Sequence, residues 1–424
     1  MPFLAIITSE VIMLDLKFIR ENLEVVTSNC QRRGCKVSVD EVVVLDDKRL
    51  SLIQKIEDLR AERNRIAKSG EANRELGSEI KLKLKELEPQ LAEVEKELHE
   101  KMSWLPNMLA EDVPSGKSDE DNAEIRKWGE IPKFNFKIRD HQELGELLDV
   151  IDTERATKVA AAKFYYLKNE GALLAWGLFW WVTKYLVSQG FTPFFTPDVA
   201  KERTLYGTGY LPFFAEDIYK LEGQDLSLIG TSEQTLVAYH TDEVLALKDL
   251  PKLYTAFSPC FRTEAGAYGK DTRGIFRVHQ FHKVEQIILC LPEESAKWHE
   301  ACQKNEEYFF QALEIPYRVV KVCDGDLGAP GYKKYDIEAW FPGQDRYREV
   351  TSNTNLTDFQ TRRLNIRVKT KDGQTIFPHT ISATAVTDRA IIAILENNQQ
   401  ADGSVAVPKV LQEYVGVKVI RPKG

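Results

Sequence analysis

With 424 residues the chain has room for two or three domains and a sizeable core. Its 43% hydrophobic and 29% charged residues are ordinary for a soluble globular protein, and a formal net charge of −8 excludes nucleic-acid binding through overall charge, leaving only a local basic patch for that role. The cysteines (Cys30, Cys35, Cys260, Cys290, Cys302 and Cys323) form no CxxC pair and no Cys–His set, so neither zinc nor a disulfide framework is expected, and reduced thiols point to the cytoplasm.

No apolar run reaches the roughly 20 residues of a membrane span. Residues 1–12 are apolar but short, lack a basic start and a small-residue cleavage site, and make a poor signal peptide. Residues 13–40 predict a short helix, LDLKFIRENLEVVTSNCQRRG, ending near Gly34, and Asp40 is suited to cap a helix beginning around Glu41. In that helix Leu45, Leu52, Ile56, Leu59 and Ile66 follow alternating steps of four and three, with Arg49 and Arg63 completing the seam. The stretch 69–73 breaks it. Ile80, Leu84, Leu87, Leu91, Val94 and Leu98 then repeat the rhythm, which predicts an antiparallel two-helix coiled coil. Each limb of about 25 residues extends roughly 35–40 Å at 1.5 Å per residue. Pro89 is expected to kink the second limb or mark a late start. Lys48, Arg49, Lys55, Arg60, Arg63, Arg65 and Lys68 outnumber Glu57, Asp58 and Glu62 on the first limb. Such a surplus fits a solvated face, a protein contact or an RNA contact.

Residues 106–133 are polar and rich in Pro, Gly and Asp, and read as a linker and domain boundary. Short helices are predicted over 141–151 and 156–162. A longer one, rich in Trp, Leu and Ala, is predicted over 171–189 and closed by Gly190. The stretch 257–285 reads as two strands joined by a basic, Gly-rich loop. On the second strand Arg277, His279, Phe281, Lys283 and Glu285 share a face, and on the first Arg262 and Glu264 do. Arginines fork onto phosphates, an aromatic ring stacks on a base and a carboxylate holds a cation, so this surface suits a nucleotide together with an ammonium group. A salt-bridged, solvated hairpin is the plainer alternative.

The ordered wording Arg262-Thr263-Glu264, a loop with Asp271-Thr272-Arg273-Gly274, then Arg277-Val278-His279-Gln280-Phe281 and Lys283-Val284-Glu285 resembles motif 2 of the seryl-tRNA synthetases, a class II aminoacyl-tRNA synthetase family of bacterial type. The resemblance runs through 13–424. It covers the helical arm, motif 1 at 190–200, the loop 206–212, Gly230-Thr231-Ser232-Glu233, the segment 347–363 and a motif 3 at 380–389. It implies an α+β protein: a coiled-coil arm plus a catalytic domain with a mostly antiparallel sheet flanked by helices. The implied division is 1–12 extension, 13–110 tRNA-binding arm, 111–133 linker and 134–424 catalytic domain.

By the same resemblance the chain is a homodimeric serine–tRNA ligase. It takes L-serine, ATP as substrate, Mg2+ and no zinc, and charges tRNA(Ser), with tRNA(Sec) where present. Arg262, Arg277 and Arg389 are the implied catalytic residues. Thr231, Ser232, Glu233, Arg262, Glu285 and Thr384 are implied to bind serine. Arg262, Thr263, Glu264, Arg277, Val278, Phe281, Glu349, Val350, Thr351, Ser352 and Arg389 are implied to bind ATP. The resemblance further implies that Glu349 and Ser352 hold the metal, with Glu338 on a neighbouring strand, and that Arg273 meets ATP or the tRNA end. Motif 3 departs from the family pattern: Ser382 and Ala383 stand where Asn and Gly are usual, and the run is one residue short. A carrier-protein aminoacyl ligase and a non-catalytic RNA-binding paralogue are the rival readings. The intact arm argues against the first, and retention of Arg262, Glu264, Arg277, Glu349 and Arg389 against the second.

Overall fold

The computed structural model describes residues 14–69, 74–265 and 273–423. The extension at 1–12, most of the break at 69–73 and the Asp271-Thr272 part of the loop lie outside them. The chain divides after Met108 into two compact units.

In the first unit the expected single helix is two, α1 (Leu16–Glu21) and α2 (Leu23–Arg32). Asp15 caps α1 by accepting from Lys17 N–H at 2.8 Å, and Asn22, outside helical geometry, separates the two. Two long helices follow, α3 (Val39–Ser69) and α4 (Arg74–Ser103). Val42 N–H bonds to Ser38 O at 3.4 Å, so Asp40 lies inside the first turn and is not the cap. There its charge still favours the helix dipole. Ile56, Ile80 and Leu84 form the centre of the α3–α4 seam, flanked by Leu59, Ile66, Leu87 and Leu91. Arg49 is half-buried against Asp46 at 2.7 Å, but Arg63 faces solvent and takes no part in the seam. A charged head near the distal end of a two-helix arm has water beside it and nothing to gain from burial. Helix α4 runs through Pro89 without a break.

The second unit is built on an eight-stranded sheet of β1 (Ala123–Trp128), β2 (Thr192–Phe194), β3 (Lys252–Phe261), β4 (Gln280–Cys290), β5 (Tyr317–Lys321), β6 (Lys333–Phe341), β7 (Arg346–Thr357) and β8 (His379–Thr387). Their spatial order is β1-β5-β6-β7-β8-β4-β3-β2, antiparallel except for the parallel pair β2–β3. The stretch read as a linker therefore supplies an edge strand: residues 123–128 pair with β5 despite their polarity. An exposed edge has one face and one side in water, so its sequence need not alternate.

Helices α5 (His141–Leu147), α6 (Glu170–Ser188), α7 (Ser295–Ala312) and α8 (Arg389–Asn397) surround the sheet. Asp140 and Glu143 form a capping box at the start of α5, and that helix ends at 147, four residues earlier than the periodicity predicts. The main core joins α6, α7 and α8 to Val284, Ile288, Ile381 and Ala383. Along β4 the alternate residues Lys283, Glu285, Ile287 and Leu289 point to the opposite face, where Ile287 and Leu289 meet a smaller cluster with Leu236 and Val237. That face carries the site.

Candidate active site

The paired strands β3 and β4 end at Phe261 and Gln280, so Arg262, Glu264, Arg277 and His279 lie just beyond them and not on them. One further bond, Arg262 N–H to His279 O at 2.9 Å, prolongs the ladder and fixes where both chains leave it. A cavity of about 220 Å³ opens beside this point, bordered by Tyr210, Glu233, Arg262, Lys283, Ser352 and Thr384.

Thr231 and Ser232, between Gly230 and Glu233 of the cavity lining, are fully buried before the short helix Glu233–Val237. The Thr231 hydroxyl donates to Glu285 Oε1 at 2.7 Å, while Glu285 Oε2 is buried with no hydrogen-bond partner among the described residues. Glu233 accepts from Gln360 Nε2 at 2.7 Å and from the Tyr210 hydroxyl at 3.3 Å. Burial, reinforced by the nearby negative charge of Glu285, raises its pKa. Thr384 faces Glu285 directly across β8 and β4. Between Thr384 and Val386 the register shifts, leaving Ala385 as the extra residue of a bulge. The Lys283 ammonium pairs with Glu285 and donates to Thr384 Oγ1 at 3.1 Å.

Arg262, on the border of the cavity, belongs to a cluster of four arginines. Arg262 lies over the Phe281 ring, 5.2 Å from its centroid. Arg277 donates to Glu264 Oε2 at 2.7 Å. Arg389 donates to Glu349 O at 2.7 Å and lies 3.4 Å from its carboxylate. Arg389 and Arg348 both approach the ring of Phe276, at 4.4 and 3.9 Å. The Glu349 side chain is half exposed, and although desolvation acts to raise its pKa, the charges of Arg389, Lys334 and Arg262 outweigh it and hold the carboxyl below its usual range. Ser352 faces Asp336 across β7 and β6, and Asp336 pairs with Lys334 at 2.9 Å.

Of the expected site residues, Glu233, Arg262, Ser352 and Thr384 border the cavity and the others do not. Val278 and Val350 are buried in the main core. Thr351 donates to Glu306 at 2.7 Å on the α7 side, and Thr263 N–H bonds to Asp217 O at 3.1 Å. Glu338 is taken up by Arg318 at 2.5 Å, and the exposed Arg273 lies 3.6 Å from Asp140. Tyr210, Gln360, Ser382, Lys283 and Arg348 join the site without having been assigned to it from sequence. Lys283 carried a usable signal, since period two sets it on the face of Glu285.

Residues 13–109 match the family model for the seryl-tRNA synthetase N-terminal domain, and residues 217–398 match the tRNA synthetase class II core domain (G, H, P, S and T). The serine–tRNA ligase of Dictyoglomus turgidum is 48% identical over 97% of this chain and 100% of its own. The chain belongs to the seryl-tRNA synthetase family. The serine–tRNA ligase of Treponema denticola is 47% identical over 95% of this chain and 99% of its own. The crystal structure of the Pyrococcus horikoshii seryl-tRNA synthetase complexed with ATP superposes with a TM-score of 0.91 at 43% identity, covering 97% of this chain and 100% of that one. The Naegleria fowleri cytoplasmic enzyme in complex with AMP gives 0.88 at 34% identity, over 97% and 99%. In this seryl-tRNA synthetase chain the altered motif 3 keeps its strand: Ser382 and Ala383 pair with Thr354 and Asn353 on one side and Ile287 and Gln286 on the other.

Proposed function

We propose that this chain activates L-serine with ATP and transfers it to tRNA(Ser), with Arg262 joining the two halves of the site. The observation that carries the reading is Arg262 on the border of the cavity with Glu233 and Thr384, where Thr384 faces the hydrogen-bonded pair Thr231–Glu285 across the strands, while the charges of Arg277, Arg348 and Arg389 cluster with that of Arg262. The first half suits an ammonium and a small polar side chain, and the second suits a triphosphate.

In this reading a carboxylate oxygen of serine attacks the α-phosphorus, the bond to the bridging oxygen breaks and pyrophosphate leaves. A terminal ribose hydroxyl of the tRNA then attacks the acyl carbon and releases AMP. The serine carboxylate is ionised at neutral pH, so the first step needs no general base. Arg262 bridges carboxylate and α-phosphate, Arg277 and Arg389 take the β and γ oxygens, and Phe281 stacks on adenine. Their contribution is orientation and stabilisation of charge developing on phosphate.

Glu349 and Ser352 offer hard oxygen donors beside a phosphate site, and the depressed pKa of Glu349 keeps it anionic. That donor set fits Mg2+, which takes few protein ligands and keeps phosphate oxygens and water. No group of three or more His, Cys, Asp or Glu suited to a metal occurs among the described residues, so ATP would have to complete the shell. When bound, the ion would neutralise phosphate charge.

The exposed apolar stripe of α6, with Phe195 beside it, supports the homodimer, and the basic distal half of α3 supports tRNA binding by the arm. No helix among the described residues is long and apolar enough to cross a membrane; a cytoplasmic place follows from the role in translation. Pyrophosphate exchange with each amino acid in turn tests the reading. Serine-dependent exchange is expected, and its absence with purified, folded protein overturns it.

A further inference from the structure

We propose that Lys283 is a specificity-determining positioning residue, which fixes the direction of the hydrogen bonds at Thr384 and Glu285 so that the pocket demands a side-chain hydroxyl. The proposal rests on the serine reading above and deepens it. Lys283 is 8% exposed and has its ammonium between the two groups. An ammonium offers three donors and no acceptor, whereas a hydroxyl has one proton and two lone pairs. Because Lys283 donates to Thr384 Oγ1 at 3.1 Å, the Thr384 proton cannot point back at it and is directed elsewhere.

Glu285 Oε1 already accepts from Thr231 at 2.7 Å, leaving the buried Oε2 as the open acceptor. Thr384 and Glu285 are direct cross-strand partners. A ligand hydroxyl between them accepts from Thr384 and donates to Glu285, and satisfies both. Alanine and glycine satisfy neither, and a thiol is weak in both roles. Without the lysine, Thr384 is at liberty to turn its proton onto Glu285. The two pocket groups then satisfy each other and the demand for a ligand hydroxyl relaxes.

The test measures pyrophosphate exchange with serine, alanine, glycine and cysteine for the wild type, Lys283→Met, Thr384→Val and the double variant. Lys283→Met should raise the serine KM roughly ten-fold or more, the loss expected of a charge-assisted hydrogen bond, with the ATP KM within about two-fold. The serine-to-alanine ratio of kcat/KM should fall with it. In the Thr384→Val background the lysine substitution should cost much less, because the hydroxyl it acts through is gone. An unchanged serine-to-alanine ratio overturns the proposal, as does an equal rise in both KM values, which marks a structural role. Should Lys283→Met fail to fold, Thr384→Val adds no unpaired charge and Lys283→Gln keeps one donor. An unchanged ratio in Thr384→Val, or a ratio in Lys283→Gln unaffected by adding Thr384→Val, is equally fatal. Wild-type protein without serine-dependent exchange overturns the functional reading itself and is distinguishable from all of these results.

Discussion

Glu264 holds the guanidinium of Arg277: its Oε2 accepts from Arg277 Nη1 at 2.7 Å, across the mouth of the β3–β4 hairpin. Glu264 sits at a φ of 54°, a left-handed conformation an ordinary side chain avoids unless its surroundings fix it. The pairing engages Glu264 with Arg277, while Arg262 lies over Phe281 and borders the cavity. Glu264→Gln removes the charge and loosens Arg277 without deleting it. Serine-dependent exchange should show an ATP KM raised by about ten-fold, the loss of one charge-assisted contact. Arg277→Ala should cost more, and Arg262→Ala most, on the order of a hundredfold or more in rate, because that contact strengthens as charge develops in the transition state. An ATP KM unmoved by Glu264→Gln would make the pair a structural clasp only.

Helix α6 exposes Leu173 (39%), Trp176 (68%), Trp180 (58%) and Val187 (43%) on one helical face, with Phe195 (98%) nearby in sequence beside β2. Large aromatic side chains left in water at helical spacing mark an interface. Trp176→Glu together with Trp180→Glu should turn a dimer into a monomer in sedimentation velocity and lower the melting temperature, since assembly stabilises the folded chain. A double variant that still sediments as a dimer would move the interface elsewhere.

The seam of the arm and the face alternation of β4 were legible because each rests on a period the backbone imposes. Leu45, Ile56, Ile80 and Leu98 are buried at the positions the four–three rhythm predicts, and Lys283 and Glu285 share a face as period two requires, whereas the Phe281 ring packs against the main core. What period alone misjudged lay at ends and edges. Alternation carries the strand back to Arg277 and His279, yet it begins only at Gln280, and the polar residues of β1 read as linker. Ladder ends and edge strands are set by partners distant in sequence, here Lys252–Phe261 and Tyr317–Lys321, and local pattern carries little of that. Thr351 illustrates a subtler limit: one residue from Ser352, it points to the other face and bonds to Glu306 on α7.

His299 on α7 is buried, with Nε2 2.9 Å from Asn353 O and its ring stacked 4.8 Å from Tyr335. Burial pushes its pKa down from 6.5 to about 4, against the opposing effect of the Asn353 carbonyl. Between these values the unfolded imidazole takes up a proton that the folded one refuses, so its effect is to lower stability as pH falls through this window. Going from pH 7.5 to pH 5 should cost about 2 kcal/mol through this group. His299→Gln keeps a donor for Asn353 and cannot titrate. Urea unfolding at the two pH values should show a smaller loss for the variant than for the wild type. Equal losses would mean that His299 titrates alike in both states.

Every residue bordering the cavity lies between 208 and 384, within the second unit, whereas the α3–α4 arm belongs wholly to the first. The arm's charge is uneven: Asp40, Glu41, Asp46 and Asp47 occupy the start of α3, and the lysines and arginines from Lys48 to Lys68 occupy the rest. Asp46 neutralises part of this through Arg20 and Arg49, and Glu88 takes Arg60 at 2.9 Å. The exposed Lys55, Arg63 and Lys68 carry the remaining basic character of the distal half. Replacing residues 46–101 by a short Gly/Ser connection should therefore leave serine-dependent pyrophosphate exchange largely intact while aminoacylation of tRNA falls steeply. Full-length binding should weaken with salt, with a log–log slope of about −0.7 to −0.9 for each phosphate contact, as counterions are released. The armless protein should show a flatter slope, since the cations that displaced those counterions are gone. Undiminished aminoacylation without the arm would assign it to some other partner. Loss of exchange in a folded armless protein would make the arm part of the catalytic architecture.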